Sequence, residues 1–202
     1  MKLYDFAGAP NPKKVRVYLA EKGLTIPVEP VDIVTGENRR PEFLAKNPLG
    51  GLPVLELDDG TILTESLAII QYLEELHPEP PMVGRTPLER ARVRELERIC
   101  ELGVLLAVGT IFQNTHPFMA TRVKQSADAA ESARKRLATH LAVLDARLDG
   151  RPFVAGERPT IADCTLFAAL EFAEFAGVPL DPAHRNVARW HAEFKQRPSA
   201  RA

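Results

Sequence analysis

The amino-acid sequence predicts a small α/β domain followed by an all-α domain. Three observations carry that expectation. Short apolar runs alternate with helical patterns through residues 1–77, in the order β-α-β-α-β-β-α. His77-Pro78-Glu79-Pro80-Pro81 then breaks the pattern, because such a run of prolines cannot continue a helix and favours a stiff extended linker. Everything beyond it reads as helical and lacks strand alternation. The expected organisation is a first domain at 1–77, a linker at 78–85 and a helical domain at 86–202.

Leu3 to Phe6 reads as a first short strand, followed by the Gly- and Pro-rich turn Ala7-Gly8-Ala9-Pro10-Asn11-Pro12. Val15, Val17, Leu19 and Ala20 fall in a helix that stops at Gly23, a residue suited to the left-handed position past a helix end. Val28 to Val34 reads as a second strand. Pro41 to Ala45 makes a short helix, with Asn47-Pro48-Leu49-Gly50-Gly51 as the turn back. Val54 to Leu57 and Ile62 to Thr64, split by Asp58-Asp59-Gly60, form a hairpin pattern. Leu67, Ile70, Leu73 and Leu76 then recur at helical spacing, so a helix begins at or beside Ser66.

Past the linker, Val93, Leu96, Cys100, Gly103 and Ala107 step by three and four and define one buried seam. The charges between them are mixed in sign and read as a solvated face. A second long helix spans Ser126 to Leu148, with Ala130, Leu137, Leu141 and Leu144 inward and Gly150 after its end. Thr160-Ile161-Ala162-Asp163 has the form of a helix-start box, with Asp as a shorter version of the usual Glu or Gln. Trp190 falls in the last helix and reads as packing.

The totals exclude several classes. A net charge of −1 with 26% charged residues gives no electrostatic reason to expect nucleic acid or an anionic membrane as partner. No apolar run approaches the ~20 residues that span a bilayer, and Met1 to Phe6 lacks the apolar core of a secretory signal. A cytoplasmic protein is expected. The 2 cysteines, Cys100 and Cys164, form no C-x-x-C and read as buried structural thiols, and the 5 histidines show no metal-ligand spacing, so no metal is expected.

Chemistry concentrates in Gly51 to Ser66. Pro53 cannot donate to a ladder and belongs at an edge or a sharp entry. If the Leu52-Pro53 bond is cis, the N–H and C=O of Leu52 can face outward and pair with an extended peptide, a one-residue form of strand addition. The helix start at Ser66 offers open N–H groups, a partial positive charge and a hydroxyl, which attract a carboxylate, while Glu65 can hold an ammonium. A ligand with a peptide-like middle and an amino-acid head satisfies both halves. Each feature also has a plain reading, Pro53 opening a strand and Ser66 capping a helix; the combination is what points to a ligand.

On Leu52-Pro53-Val54-Leu55, Glu65-Ser66 and the Thr160–Asp163 box, the chain resembles the glutathione transferase superfamily over nearly its whole length. The resemblance implies a thioredoxin-like first domain with an all-helical second one, glutathione as co-substrate, no metal, and a homodimer. It places the cysteinyl part of glutathione on Leu52 and Pro53 and the γ-glutamyl end on Glu65 and Ser66. The sulfur should meet the loop before the first helix. Many relatives carry Ser or Cys where this chain has Ala9, which can neither donate a hydrogen bond nor form a mixed disulfide. The Ala9-Pro10-Asn11-Pro12-Lys13-Lys14-Val15 run looks more like the bacterial Nu-class and Ure2-like branch, in which an Asn is implicated near the sulfur. Asn11 is therefore the candidate catalytic residue.

Asn followed by Pro also reads as an N-cap with Pro at the first helical position. The two readings are compatible, since the amide oxygen can cap while the NH2 donates to a thiolate. Tyr4 is a rival donor, although it sits one place early. Asn38 stands where the same branch has a glutathione-touching Gln; a solvated loop amide is the other reading. A second substrate is expected between the domains, against Ala9, Phe112, His116 and Phe118, with Asn114 and Met119 near. The implied activity is attack of glutathione thiolate on an electrophilic carbon or on a disulfide. The alternative is a glutathione-binding or protein-interaction module with little turnover. A maleylacetoacetate isomerase of the zeta class is disfavoured, because Ala9-Pro10-Asn11 replaces its Ser-Ser-Cys.

Overall fold

The computed structural model describes all residues, 1–202. They form two compact units, Met1–Met82 with Arg201–Ala202, and Val83–Ala200. The first unit runs β1 (Lys2–Asp5), α1 (Pro10–Lys22), β2 (Val28–Pro30), α2 (Pro41–Leu44), β3 (Val54–Glu56), β4 (Ile62–Thr64) and α3 (Ser66–Leu76). Its four strands lie in the order β2-β1-β3-β4, with β1 and β2 parallel and the other pairings antiparallel. This is the thioredoxin-like arrangement. Alternation decides the two faces. Tyr4 and Val54 pair on one face and pack with Val31 and with Phe43 of α2; Leu3 and Leu55 pair on the other, where α3 packs on β3 and β4 and α1 packs on α3.

The end of β2 differs from the sequence expectation. β2 ends at Pro30 instead of reaching Val34, because the last ladder-like bond is Val31 N–H to the Asp5 carbonyl (2.8 Å) and the Asp32 carboxylate then accepts the Val34 N–H (2.7 Å), turning the chain. At the other end of the first unit, Glu74 of α3 fixes the proline segment to it. Its buried carboxylate accepts from Tyr18 Oη (2.8 Å), Lys22 Nζ (2.9 Å) and the Met82 N–H (2.7 Å), and Lys22 Nζ also donates to the Pro80 carbonyl (2.7 Å).

The second unit is helical: α4 (Pro87–Arg98), a π-helical stretch (Ile99–Leu105), α5 (Leu106–Thr115), α6 (Ala127–Arg147), α7 (Ile161–Phe175) and α8 (Arg185–Phe194). Side-chain caps start α4 at Thr86 and α6 at Ser126, each accepting the N–H three residues on. The π-helical stretch was not visible in the 3-4 stepping. It brings Val104 and Leu105 inward beside Gly103, whose missing Cβ would stand 2.0 Å from the His140 ring of α6. Cys100 and Cys164 are both buried free thiols. No helix is long and apolar enough to cross a membrane.

Candidate functional site

Strand direction gathers the candidate residues of the first unit at one end of its sheet. β1 and β2 run toward that end, β3 leaves from it, and β4 returns to it. In the β3–β4 register Val54 faces Thr64, so continuing the count sets Leu52 across from Ser66; in the β1–β3 register it sets Leu52 across from Phe6. The carboxyl ends of β1, β2 and β4 thus meet the entry to β3. Both α1 and α3 begin there, the end at which open α/β sheets place ligands.

Leu52 is presented on a braced turn. Asn38 Nδ2 donates to the Gly50 carbonyl and Asn47 Nδ2 to the Gly51 carbonyl, both at 2.8 Å, and both amides are buried. Gly50 has φ 64°, and a Cβ on it would lie 2.8 Å from the Asn38 carbonyl, so only glycine fits. The Leu52-Pro53 bond is cis. The Leu52 side chain packs on the Tyr4–Phe43 cluster, while its main-chain N–H and C=O make no bond within the chain. Asn38 thus serves the turn that carries Leu52, and Asn47 is a second brace that sequence reasoning passed over as turn composition.

α3 begins without a side-chain cap. Glu65 holds the N-cap place at φ 67°, ψ 116°, the one non-glycine residue with positive φ. The first main-chain bond of the helix runs from Ile69 N–H to the Glu65 carbonyl (3.0 Å), which leaves the N–H groups of Ser66, Leu67 and Ala68 open. Ser66 is a buried residue whose hydroxyl makes no hydrogen bond within the chain, and the Glu65 carboxylate is exposed. This end concentrates donors and positive potential with an acceptor beside them.

α1 corrects one expectation. Asn11 is not the N-cap: Ala9 is, at φ −95°, ψ 139°, with Pro10 at the first helical position and Asn11 at the second. The cause is that Pro10 suits the first helical position as well as Pro12 does, and the turn closed by Ala9 N–H to the Phe6 carbonyl (3.0 Å) delivers the chain to it first. With prolines at positions 10 and 12, and Lys13 N–H bonded to the Ala9 carbonyl (3.1 Å), only the Asn11 N–H is open in the first turn. The Asn11 carboxamide is exposed and makes no cap bond, so the fixed donor here is the main chain rather than a capping side chain.

Tyr4 does not serve this end. It points to the α2 face, and its hydroxyl donates to Glu56 Oε2 (2.7 Å) at the far end of β3. Lys46 Nζ reaches the same carboxylate at 2.8 Å; that bond first, and the Tyr4 hydroxyl second, hold Glu56 below the usual carboxylate range.

In the helical unit Phe112 and His116 come together, their ring centroids 4.7 Å apart. They are joined by Phe172 and Phe175 of α7, at 5.2 and 5.8 Å from Phe112, neither of which the sequence singles out. Phe175 is 64% exposed, so this is an open aromatic patch and not core. His116 Nδ1 accepts the Phe118 N–H (3.2 Å), leaving Nε2 as the free ring nitrogen. Phe118 itself stands outside the cluster, under the Arg122 guanidinium 3.9 Å from its ring centre. Ala9 belongs to the other unit.

One group has metal-ligand composition: Glu171, Glu174 and His191, with ligand atoms within 4.8 Å of one another. Lys195 Nζ lies 2.7 Å from Glu174 and 3.1 Å from Glu171, so a cation of the chain already meets both carboxylates. Burial holds the His191 imidazole below its usual range, toward the neutral form.

Comparison with known proteins bears on this geometry. The family model "Glutathione S-transferase, N-terminal domain" matches residues 3–81, and "Glutathione S-transferase, C-terminal domain" matches residues 127–193. The chain is 35% identical to glutathione S-transferase 2 of Saccharomyces cerevisiae, over 100% of this chain and 88% of that one. It is also 35% identical to a maleylacetoacetate isomerase of Pseudomonas aeruginosa, over 97% and 94%. Among solved structures, a glutathione S-transferase domain-containing protein of Marinobacter aquaeolei superposes with a TM-score of 0.90 at 39% identity, covering 98% of this chain and 99% of that one.

Proposed function

The chain belongs to the glutathione S-transferase family, and on that footing we propose that its first unit clasps glutathione across Leu52 and the start of α3. It is a glutathione-dependent transferase. One observation supports the placement above the others: an open main-chain edge at Leu52 and an open, uncapped helix start at Ser66 stand across from each other in the sheet register. The cysteinyl residue of glutathione pairs with the Leu52 N–H and C=O beside Pro53. The γ-glutamyl carboxylate accepts from Ser66 and the first N–H groups of α3, and its ammonium meets Glu65. Asn38 acts through the Gly50 brace.

The sulfur then falls to the start of α1. A free thiol titrates near pH ~8.5, and lowering that by about two units needs about 2.7 kcal/mol of preference for the anion. The Asn11 N–H, the Asn11 carboxamide and the positive end of α1 are the donors proposed to supply it. Thiolate attack on an electrophilic carbon forms a C–S bond while the bond to a leaving group breaks and that group departs with the electron pair. On an activated double bond the π bond breaks instead, and the adjacent carbon takes up a proton from water. With a disulfide, two glutathiones act in turn and leave as oxidised glutathione with two freed thiols. Phe112, His116, Phe172 and Phe175 are proposed as the apolar wall for the second substrate. A homodimer and a cytoplasmic address belong to the same proposal and rest on family likeness.

The likeness to the Pseudomonas isomerase favours maleylacetoacetate isomerisation as a second reading, although Ala9-Pro10-Asn11 lacks the Ser-Ser-Cys of that class. The test is calorimetric uptake of reduced glutathione, followed by thiolate absorbance of the bound ligand against pH. Uptake with a titration near pH ~6–7 supports the proposal. No uptake, or a titration near pH ~8.5 as in solution, overturns it. Asn11→Ala keeps the main-chain donor and should lose part of the shift, whereas Asn11→Asp sets a charge against the thiolate and should lose more.

A further inference from the structure

We propose that Arg16 is a positioning residue for the thiol: its guanidinium fixes the turn from β1 into α1 and so sets where the Asn11 N–H is presented. The inference rests on the reading of the α1 start given above. Arg16 Nη1 lies 2.7 Å from Asp5 Oδ1 and 2.5 Å from Asp5 Oδ2, and Nη2 donates to the Ala7 carbonyl at 3.0 Å. Asp5 is the last residue of β1 and only 4% exposed, while Ala7 lies in the turn. One planar group therefore ties the end of the strand and the middle of the turn to the second turn of α1.

The direction of the side chain makes this possible. Residues on an α-helix lean toward its N-terminus, so Arg16 covers the turn that precedes it. The turn's own ties are the Ala9 N–H to Phe6 carbonyl bond and Gly8 against the Phe6 ring, where a Cβ would approach to 3.1 Å. Both are internal to the segment; they set its shape and not its position on the sheet. Arg16 supplies an external anchor. A donor aimed at a thiolate is worth most when it needs no reorganisation as the charge forms, and the single open N–H of this helix start leaves no second main-chain donor to compensate for a shift.

Arg16 is not thereby a source of charge for the sulfur. Its guanidinium is committed to the Asp5 carboxylate, so the pair is close to neutral at a distance. What matters is the fork, which lysine cannot reproduce with a single ammonium. Arg16→Lys keeps the charge beside Asp5 and removes the second arm to Ala7, which separates position from charge. Arg16→Met is the harsher change, since it strands the buried Asp5 carboxylate.

The experiment is thiolate absorbance of bound glutathione against pH for wild type and Arg16→Lys, with kcat and KM measured over the same range. The Lys variant, with its circular dichroism spectrum and unfolding transition retained, should show the thiol titrating about one pH unit higher. Its kcat should fall about threefold near pH ~7 and approach a tenfold deficit below pH ~5.5, in proportion to the thiolate fraction, and recover above pH ~9.5 where the thiol ionises unaided. KM for glutathione should stay within about twofold, because Leu52 and the α3 start hold the rest of the ligand. A thiol titration equal to wild type in the folded Lys variant, or a kcat deficit that persists at every pH, overturns the role of Arg16 alone. If wild type itself takes up no glutathione, or leaves its thiol unshifted, the functional reading and this inference fall together.

Discussion

Two helix starts in this molecule pair a hydroxyl with a carboxylate, and they are built in opposite ways. At α7 the chain closes on itself. Asp163 Oδ2 accepts the Thr160 N–H (2.9 Å) and hydroxyl (3.0 Å), and Oδ1 accepts the Val154 N–H (2.9 Å) and Trp190 Nε1 (3.2 Å). Every group there is buried and satisfied, and Trp190 proves to be a partner of the box as well as packing. At α3 the chain stays open: Glu65 is exposed and strained, Ser66 is buried with its hydroxyl unpartnered, and three N–H groups face outward. A closed start holds a fold together, whereas an open one with backbone strain has kept its hydrogen bonds for something outside the chain.

The largest effect that could break this comparison is at Asp163. Asp163→Ala leaves Val154, Thr160 and Trp190 donors without an acceptor inside the core and should cost about 3–5 kcal/mol of stability in urea unfolding. The folded fraction should still bind glutathione with unchanged affinity by calorimetry. A stability loss under about 1 kcal/mol would mean the α7 start is not the scaffold its bonds suggest.

The same carboxyl sets a pH dependence. Burial pushes Asp163 up to about 6, against the pull of its four donors, while an unfolded Asp titrates near ~3.9. The folded state therefore binds that proton more tightly than the unfolded chain does. Stability should decline as pH rises from about 4 through about 6, by up to about 1.4 kcal/mol per pH unit, and level off above. Urea midpoints across that range check the sign. A rise in the Asp163 contribution with pH, isolated by subtracting the profile of Asp163→Asn, would show that the four donors outweigh burial.

Ser66→Ala is the mirror image. It removes one hydroxyl that the chain does not use, so stability should move by less than about 0.5 kcal/mol. The loss should appear in glutathione affinity, about tenfold by calorimetry. Substantial destabilisation with affinity intact would make α3 an ordinary structural start.

The contrast also explains what the residues disclosed in advance. The Thr160–Asp163 box, the hairpin around Asp58-Asp59-Gly60 and the stop at Gly23 were legible because each depends on neighbours within a few residues. Leu52, Pro53, Glu65 and Ser66 were legible as a group because the register of one short hairpin joins them. The start of α1 was misread by two residues because Pro10 and Pro12 are both acceptable first residues, and only the Phe6–Ala9 turn chooses between them. Asn47, Arg16, Phe172 and Phe175 gave no local signal, since their partners lie on other elements or in contacts made only after folding. The π-helical stretch at Ile99–Leu105 was hidden for a similar reason: one extra residue per turn keeps an apolar stepping that still reads as helical.

The smallest expected effect tests the strain itself. Glu65 occupies φ 67°, ψ 116°, a region that costs a side-chain-bearing residue about 1–3 kcal/mol and glycine little. Glu65→Gly removes that cost and adds about 0.5–1 kcal/mol of chain entropy to the unfolded state. The net should be a gain of about 1 kcal/mol, seen as a higher urea midpoint at constant slope. The gain should come with weaker glutathione binding, because the acceptor for the ligand ammonium is gone. Glu65→Gln separates the two causes, since it keeps the strained backbone and removes only the charge; it should lose affinity without gaining stability. If the glycine variant gains nothing, the open start of α3 is not held under tension, and its open N–H groups alone must carry the argument for a ligand.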